Sequence, residues 1–291
     1  MAFHPECFGV PVAERLSDAF GRDLAPPVLT ARPMPTALLL SPHLDDAAFS
    51  CGATSAALAA AGWDVAMATL FTASVPNPTG FALECQTSKG LAADIDYMQL
   101  RRAEDAAAAV ALGCSRVEWL PLPEAPHRGY ESATELFEPP HDDDSPDELI
   151  AAIDGLLARH RPDVVFAPQA WGRHVDHVLT VRAVSWLQPQ HIAWCFDTPY
   201  VLRDDPTPPP DEFGPLFDGC DTVTVTLPST DAWDACVAAK LDACAAYASQ
   251  LGFQFGSVEA MRATLGEAAE RLMLPPAAVD ILSGPLTLRS S

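Results

Sequence analysis

The sequence predicts an α/β fold with a mostly parallel sheet flanked by helices, and three features predict it. Short apolar runs alternate with stretches of helical periodicity along the chain, the order that builds βαβ units. Two of those runs end in a cluster of His and Asp just before a helix begins. Ligands of open α/β sheets bind outside the carboxyl ends of strands, so polar residues confined to those ends mark a site.

Residues 1–35 are proline-rich and read as an arm, with a short helix at 12–20. Residues 36–40 form the first strand, and a helix of small residues follows at 46–61, stopped by Gly62. A second strand covers 64–72. The polar stretch 73–96, with Pro76, Pro78, Gly80 and Gly90, reads as a long functional loop. A helix at 97–112 ends at Gly113, and a third strand covers 116–122. Irregular chain at 123–144 carries the acidic run Asp142, Asp143 and Asp144, which reads as a solvated turn before the next helix. Ser145 and Glu148 have capping-box spacing with Pro146 at the first helical position, so a helix runs from there to about 160. Strands at 163–168 and 192–202 bracket a helix at 176–187. The five prolines of 203–215 make a stiff surface loop. Alternating Thr and Val at 222–227 suggest an edge strand. Ser229 or Thr230 caps an alanine-rich helix to about 250, and a last helix covers 258–272. Strands resume on both sides of every proline-rich loop, so the reading is one domain over 1–291 with its core at about 36–250.

The chain has 291 residues, 49% of them hydrophobic, enough for a sizeable core. Its 17 Lys and Arg face 39 Asp and Glu, a net charge of −22. That charge repels nucleic acid and anionic lipid, so neither is an expected partner. No run approaches the roughly 18 apolar residues a membrane helix needs. The first residues lack a basic segment followed by an apolar one, so no secretory signal is expected. The eight cysteines are never closer than eight positions, which excludes Cys-x-x-Cys patterns. Read as reduced small hydrophobes, they fit a cytoplasmic protein. Nothing in the sequence indicates an oligomeric state.

The two clusters carry the chemistry. Ser41, Pro42, His43, Leu44, Asp45 and Asp46 close the first strand; Trp171, Gly172, Arg173, His174, Val175, Asp176 and His177 follow the strand at 163–168. His43 and Asp46, spaced i and i+3, can point at one centre, and His177 completes a three-ligand zinc site with a position left open for water. Asp45, free of ligand duty, can act as general base on that water. His174 can donate to a developing oxyanion or protonate a leaving nitrogen. Asp176 can accept from His174 and hold its tautomer or raise its pKa. Trp171, beside the second cluster, is a candidate pocket wall. For His43 the competing reading is a strand-end histidine that caps the following helix together with Asp45 and Asp46.

These residues resemble a known family. The first cluster is similar to the (A/S)-H-P-D-D signature of the LmbE-like, or PIG-L, deacetylases, and His174 to His177 to their later H-P-D-H. Arg101 with Glu104, the stretch Leu122 to Arg128, and Lys240 with Tyr247 and Gln250 support the match. Leu44 and Val175 stand where the family usually has prolines, and Ala47 where many members have Glu. The resemblance implies a Rossmann-like three-layer fold and a zinc-dependent N-deacetylase acting on glucosaminyl or related small molecules, including antibiotic intermediates. It implies His43, Asp46 and His177 as zinc ligands, Asp45 as base, and His174 as the oxyanion or acid residue tuned by Asp176. It places Arg101, and with it Glu124 and Arg128, at the substrate. Arg101 and Glu104 could equally form an exposed i,i+3 ion pair, and Glu124 with Arg128 a loop salt bridge.

Two other functions use the same residues. A non-haem Fe(II) oxygenase also needs two His and one carboxylate, but the ligands here fall at strand–helix junctions. A non-catalytic metal-binding relative would not need Asp45 and His174. No Gly-x-Ser-x-Gly elbow and no Gly-x-Gly-x-x-Gly loop occurs. The loops 73–96, 123–144 and 203–215 are expected to set specificity.

Overall fold

Strand β1 (Thr36–Ser41) is apolar on both faces, and its environment follows from that. In the computed structural model, which describes residues 34–290, Ala37 and Leu39 enter one core and Leu38 and Leu40 the opposite one. The expected helix at 12–20, and all but the last two residues of the arm, lie outside the described residues. After β1 come α1 (Asp46–Ala60), β2 (Asp64–Thr69), α2 (Gly80–Thr87), α3 (Tyr97–Ala111) and β3 (Arg116–Trp119). Next are α4 (Asp147–His160), β4 (Val164–Pro168), α5 (Val175–Leu187), β5 (Ile192–Cys195) and the single turn α6 (Gly214–Phe217). The chain continues through β6 (Asp221–Thr226), α7 (Thr230–Ala246), α8 (Ala248–Gln254), α9 (Val258–Glu267), β7 (Arg271–Leu274), α10 (Pro276–Leu282) and β8 (Thr287–Ser290).

The strands form one eight-stranded sheet in the order β3-β2-β1-β4-β5-β7-β6-β8. The first five are parallel. β7 runs antiparallel to both β5 and β6, and β8 antiparallel to β6. α1 and α7 pack on one face with Ala37, Leu39, Val164 and Phe166. Leu149, Ile153 and Leu156 of α4 and Val178 and Val181 of α5 pack on the other face. The buried positions of α4 recur at i, i+4 and i+7, one stripe of a helix. Burying each such side chain stabilises by about 1.5–3 kcal/mol. Among the described residues no helix is long and apolar enough to cross a membrane.

Several elements differ from the sequence expectation. The loop 73–96 contains α2, whose Gln86 is buried and donates to Ala92 O. α4 starts at Asp147, because Pro146 has no N–H and Ser145 Oγ instead accepts from Asp147 N at 3.2 Å. The apolar run 192–202 leaves the sheet after Cys195, since Asp197 turns inward to other partners. The expected edge strand, β6, is internal. The last helix is expected to reach 272, but Arg271–Leu274 is an extended segment whose alternate residues are buried, and it inserts between β5 and β6. The alanine-rich helix breaks at Tyr247 into α7 and α8.

α1 is itself broken at Cys51 (φ −142°, ψ 28°). The amides past a break have no partner in the preceding turn. Here Glu270 supplies one: it accepts from Ala53 N at 2.8 Å, Thr54 N at 2.7 Å and Thr54 Oγ1 at 2.6 Å. Lys240 of α7 pairs with the same carboxylate at 2.8 Å, and both side chains are 3% exposed. A Cβ at Gly52 would lie 2.9 Å from Lys240 Cγ, so glycine is what admits the lysine stem. Glu270→Ala leaves a buried ammonium and two amides without partners. It is expected to destabilise by about 3–5 kcal/mol, measured by urea unfolding; a loss below about 1 kcal/mol would contradict this account.

Candidate metal centre

β1 has β2 on one side and β4 on the other, so the chain's progress across the sheet reverses between β1 and β4. At such a switch point the loops leaving the two carboxyl ends diverge and open a crevice. Both His/Asp clusters emerge there.

After β1, Ser41 Oγ donates to His43 O at 2.6 Å and accepts from Ala47 N at 3.0 Å, which pins the loop to the first turn of α1. Asp46 Oδ2 accepts from His43 N at 2.8 Å. Asp45, the residue preceding α1, makes no side-chain capping bond, so its carboxylate is not used to close the helix. After β4, three left-handed residues, Ala170, Gly172 and Arg173, wind the chain tightly. Asp197 Oδ2 holds this turn by accepting from Gln169 N at 2.9 Å and Trp171 N at 3.1 Å.

The imidazoles of His43 and His177 meet at one carboxylate oxygen. His43 Nδ1 is 3.3 Å and His177 Nε2 3.1 Å from Asp46 Oδ2. His177 Nε2 is nevertheless buried without a hydrogen bond, because the carboxylate lies off its line. The ligand atoms of the three residues all lie within 4.8 Å of one another. Two imidazole nitrogens and a carboxylate oxygen around one point fit a zinc ion, as does the orphaned nitrogen. The far nitrogens are pinned by two further carboxylates. His43 Nε2 is 2.8 Å from Asp176 Oδ2, and His177 Nδ1 is 2.6 Å from Asp197 Oδ1.

Asp176 therefore serves a different histidine from the one expected. Its carboxylate contacts His43, Arg128 Nη2 at 2.6 Å and Ala125 N at 3.2 Å. Only its backbone N–H reaches His174, donating to Nδ1 at 3.2 Å. Positions i and i+2 do not face each other on a helix, which keeps the two side chains from bonding.

The remaining predicted residues separate into two groups. Arg101 is buried, with its guanidinium 3.8 Å from Asp45 Oδ1 and ion-paired to Glu124. Its Nε has no partner, and Glu104 bonds Ser249 instead of Arg101. Arg128 is occupied by Asp144, Asp176 and Pro123 O, so it braces the site rather than opening onto it. Asp142 and Asp143 are exposed, as expected of a solvated turn, but Asp144 is a half-buried brace that Arg128 and the Tyr130 hydroxyl draw in. The Trp171 indole donates to Gln169 and stacks on Phe196 at 5.8 Å. His160 lies elsewhere, against Glu118 at 2.5 Å. Asp197 went unnoticed in the sequence, although an acid two residues past the end of a strand is the same signal that marked the other clusters.

Burial, with Asp46 beside it, raises the Asp45 carboxyl to about 7, while Arg101 opposes the rise. Burial also lowers His174 to about 3, with neighbouring His43 acting the same way, so its ring is neutral. For His177 burial acts downward, but Asp46 and Asp197 outweigh it and carry the imidazolium to about 9. Asp176 is held well below its ordinary value: burial is outweighed by His43 and Arg128.

Residues 38–187, from β1 through α5 and including both clusters, match the family model for GlcNAc-PI de-N-acetylase, PIG-L. The chain is 35% identical over 147 residues to the 2'-N-acetylparomamine deacetylase of Streptomyces fradiae. That match spans 50% of this chain and 50% of the relative's length. The fold is similar to that of teicoplanin deacetylase in its zinc-inhibited form (TM-score 0.67, 24% identity, covering 82% of this chain and 97% of that one). It is also similar to A40926 pseudoaglycone deacetylase (TM-score 0.62, 25% identity, covering 82% and 96%). With both His/Asp clusters inside the matched region, the chain belongs to the PIG-L family.

Proposed function

We propose that the protein is a zinc-dependent N-deacetylase that removes the acetyl group from an amino sugar of an antibiotic or its biosynthetic intermediate. The observation that carries this reading is the convergence of His43 Nδ1 and His177 Nε2 on Asp46 Oδ2, with Asp45 adjacent and uncommitted. The substrate class is supported by the relative from Streptomyces fradiae, a 2'-N-acetylparomamine deacetylase.

His43, Asp46 and His177 would hold the ion. A zinc ion held by them would supply Lewis-acid polarisation and a bound water with a pKa of about 7. Asp45 accepts the proton that the attacking water releases; a carboxyl raised to about 7 can both take that proton and give it up near neutral pH. His174 Nδ1 is occupied as an acceptor, so the neutral ring carries its hydrogen on Nε2. That hydrogen is the donor to the oxygen of the acetyl carbonyl. As the C–N bond breaks, the proton held by Asp45 goes to the leaving nitrogen, giving acetate and the free amine. Asp176 and Asp197 orient the two liganding imidazoles. Arg101, paired with Glu124, faces Asp45 and would steady its carboxylate beside the substrate. Arg128 and Trp171 act as supports.

The decisive experiment is acetate release from N-acetylparomamine-type substrates, abolished by a chelator and restored by zinc. Asp45→Ala is expected to keep the metal and lower turnover by about 10²–10⁴; normal turnover would overturn its role as base. Asp197→Asn is expected to weaken zinc binding by about 10–100-fold, read by competition with a chromophoric chelator. Zinc must displace protons from His177 and from His43, whose imidazole Asp176 and Asp46 also hold well above its ordinary value against burial, so its affinity should rise with pH by at least about tenfold per unit between neutrality and about 9. A flat profile between neutrality and that value would contradict the ligand set.

A further inference from the structure

Tyr200 opens a short turn just beyond Asp197, and nothing in the sequence singles it out. Its ring stands edge-on to His177, 5.5 Å between centroids and 82° between planes. It also packs against Phe137 at 6.0 Å, and Phe137 stands edge-on to His174 at 5.5 Å. The phenol ring therefore belongs to the same wall as a proposed zinc ligand and the proposed oxyanion donor. Arg203 closes the ring's outer side, its guanidinium carbon 4.7 Å from the centroid.

Room for that ring is made by Gly172. A Cβ there would lie 2.4 Å from Tyr200 Cδ1, and the residue's φ of +80° is itself one that favours glycine. The second cluster thus yields a side chain of its own so that Tyr200, from another loop, can occupy the place.

The residue is 7% exposed. Its hydroxyl makes no hydrogen bond to any described residue, and it is not one of the sealed, solvent-free polar atoms. An enclosed ring with an unused, accessible hydroxyl is set up to meet something that arrives from solution. Burial, and after it the nearby charges of Asp46 and Asp45, hold the phenol well above its ordinary pKa, so it carries its proton beside His177.

Resting on the deacetylase reading, we propose that the Tyr200 hydroxyl is a second hydrogen-bond donor to the acetyl carbonyl oxygen as water adds to the amide carbon. It works alongside His174 Nε2. The phenol keeps its proton throughout and stabilises negative charge only as that charge develops. Its contribution therefore falls on the chemical step rather than on substrate binding.

Tyr200→Phe in the full-length zinc-loaded enzyme removes the hydroxyl and leaves the ring. The expected result is a loss of about 100-fold in kcat with KM changed by less than about threefold, and zinc stoichiometry unchanged. Gly172→Ala, which pushes the ring aside, should lose kcat to a similar extent. The proposal is overturned if Tyr200→Phe turns over normally, if only KM rises, or if zinc is lost. Asp45→Ala measured in parallel separates the two readings. Loss there with normal Tyr200→Phe sinks only the donor role, whereas normal turnover in both sinks the deacetylase mechanism as well.

Discussion

Two imidazoles can converge on one carboxylate oxygen only if something outside the centre stops them rotating away. Here that is a carboxylate at the far nitrogen of each ring, Asp176 for His43 and Asp197 for His177. Both carboxylates are at most 2% exposed, and a buried carboxylate is costly unless it is fully bonded. The two are satisfied by different means. Asp176 is neutralised by Arg128, which Asp144 holds in turn. Asp197 uses the backbone amides of Gln169 and Trp171 and so also fixes the turn that presents His174. The braces of the two histidines do not share a residue, and each is anchored to a different loop.

The helix that carries Asp46 shows the same reliance on buried charge. A continuous helix would need no acceptor at its middle, but α1 breaks at Cys51 and exposes two amides. Glu270, from the segment leading into the antiparallel part of the sheet, answers them, and Lys240 balances its charge. The late strands and α7 are thereby tied to the middle of α1. Gly52 is the single position where the backbone must stay bare for this to happen.

Much of this was legible in the sequence for a local reason. Strand β1, the small-residue helix after it, and the strand–cluster–helix pattern around His174 depend on period, turn chemistry and composition within a few residues. His43, Asp45, Asp46, His174 and His177 stood out because two His/Asp clusters recur at the ends of two apolar runs, more than capping one helix start requires. The elements misread were those decided from a distance. Arg271–Leu274 is a strand because β5 and β6 leave a gap that it fills. β6 is internal because β8 pairs with its other edge.

The sequence by itself determined which residue types gather at the two strand ends, since hydrophobic period and helix starts are local properties. Only the tertiary structure decided their division of labour. A carboxylate's partner is set by which loop folds against it, not by its neighbours in the chain. That is why Asp176 holds His43 rather than His174, why Arg128 is a brace, and why Asp197 and Tyr200 stand at the centre.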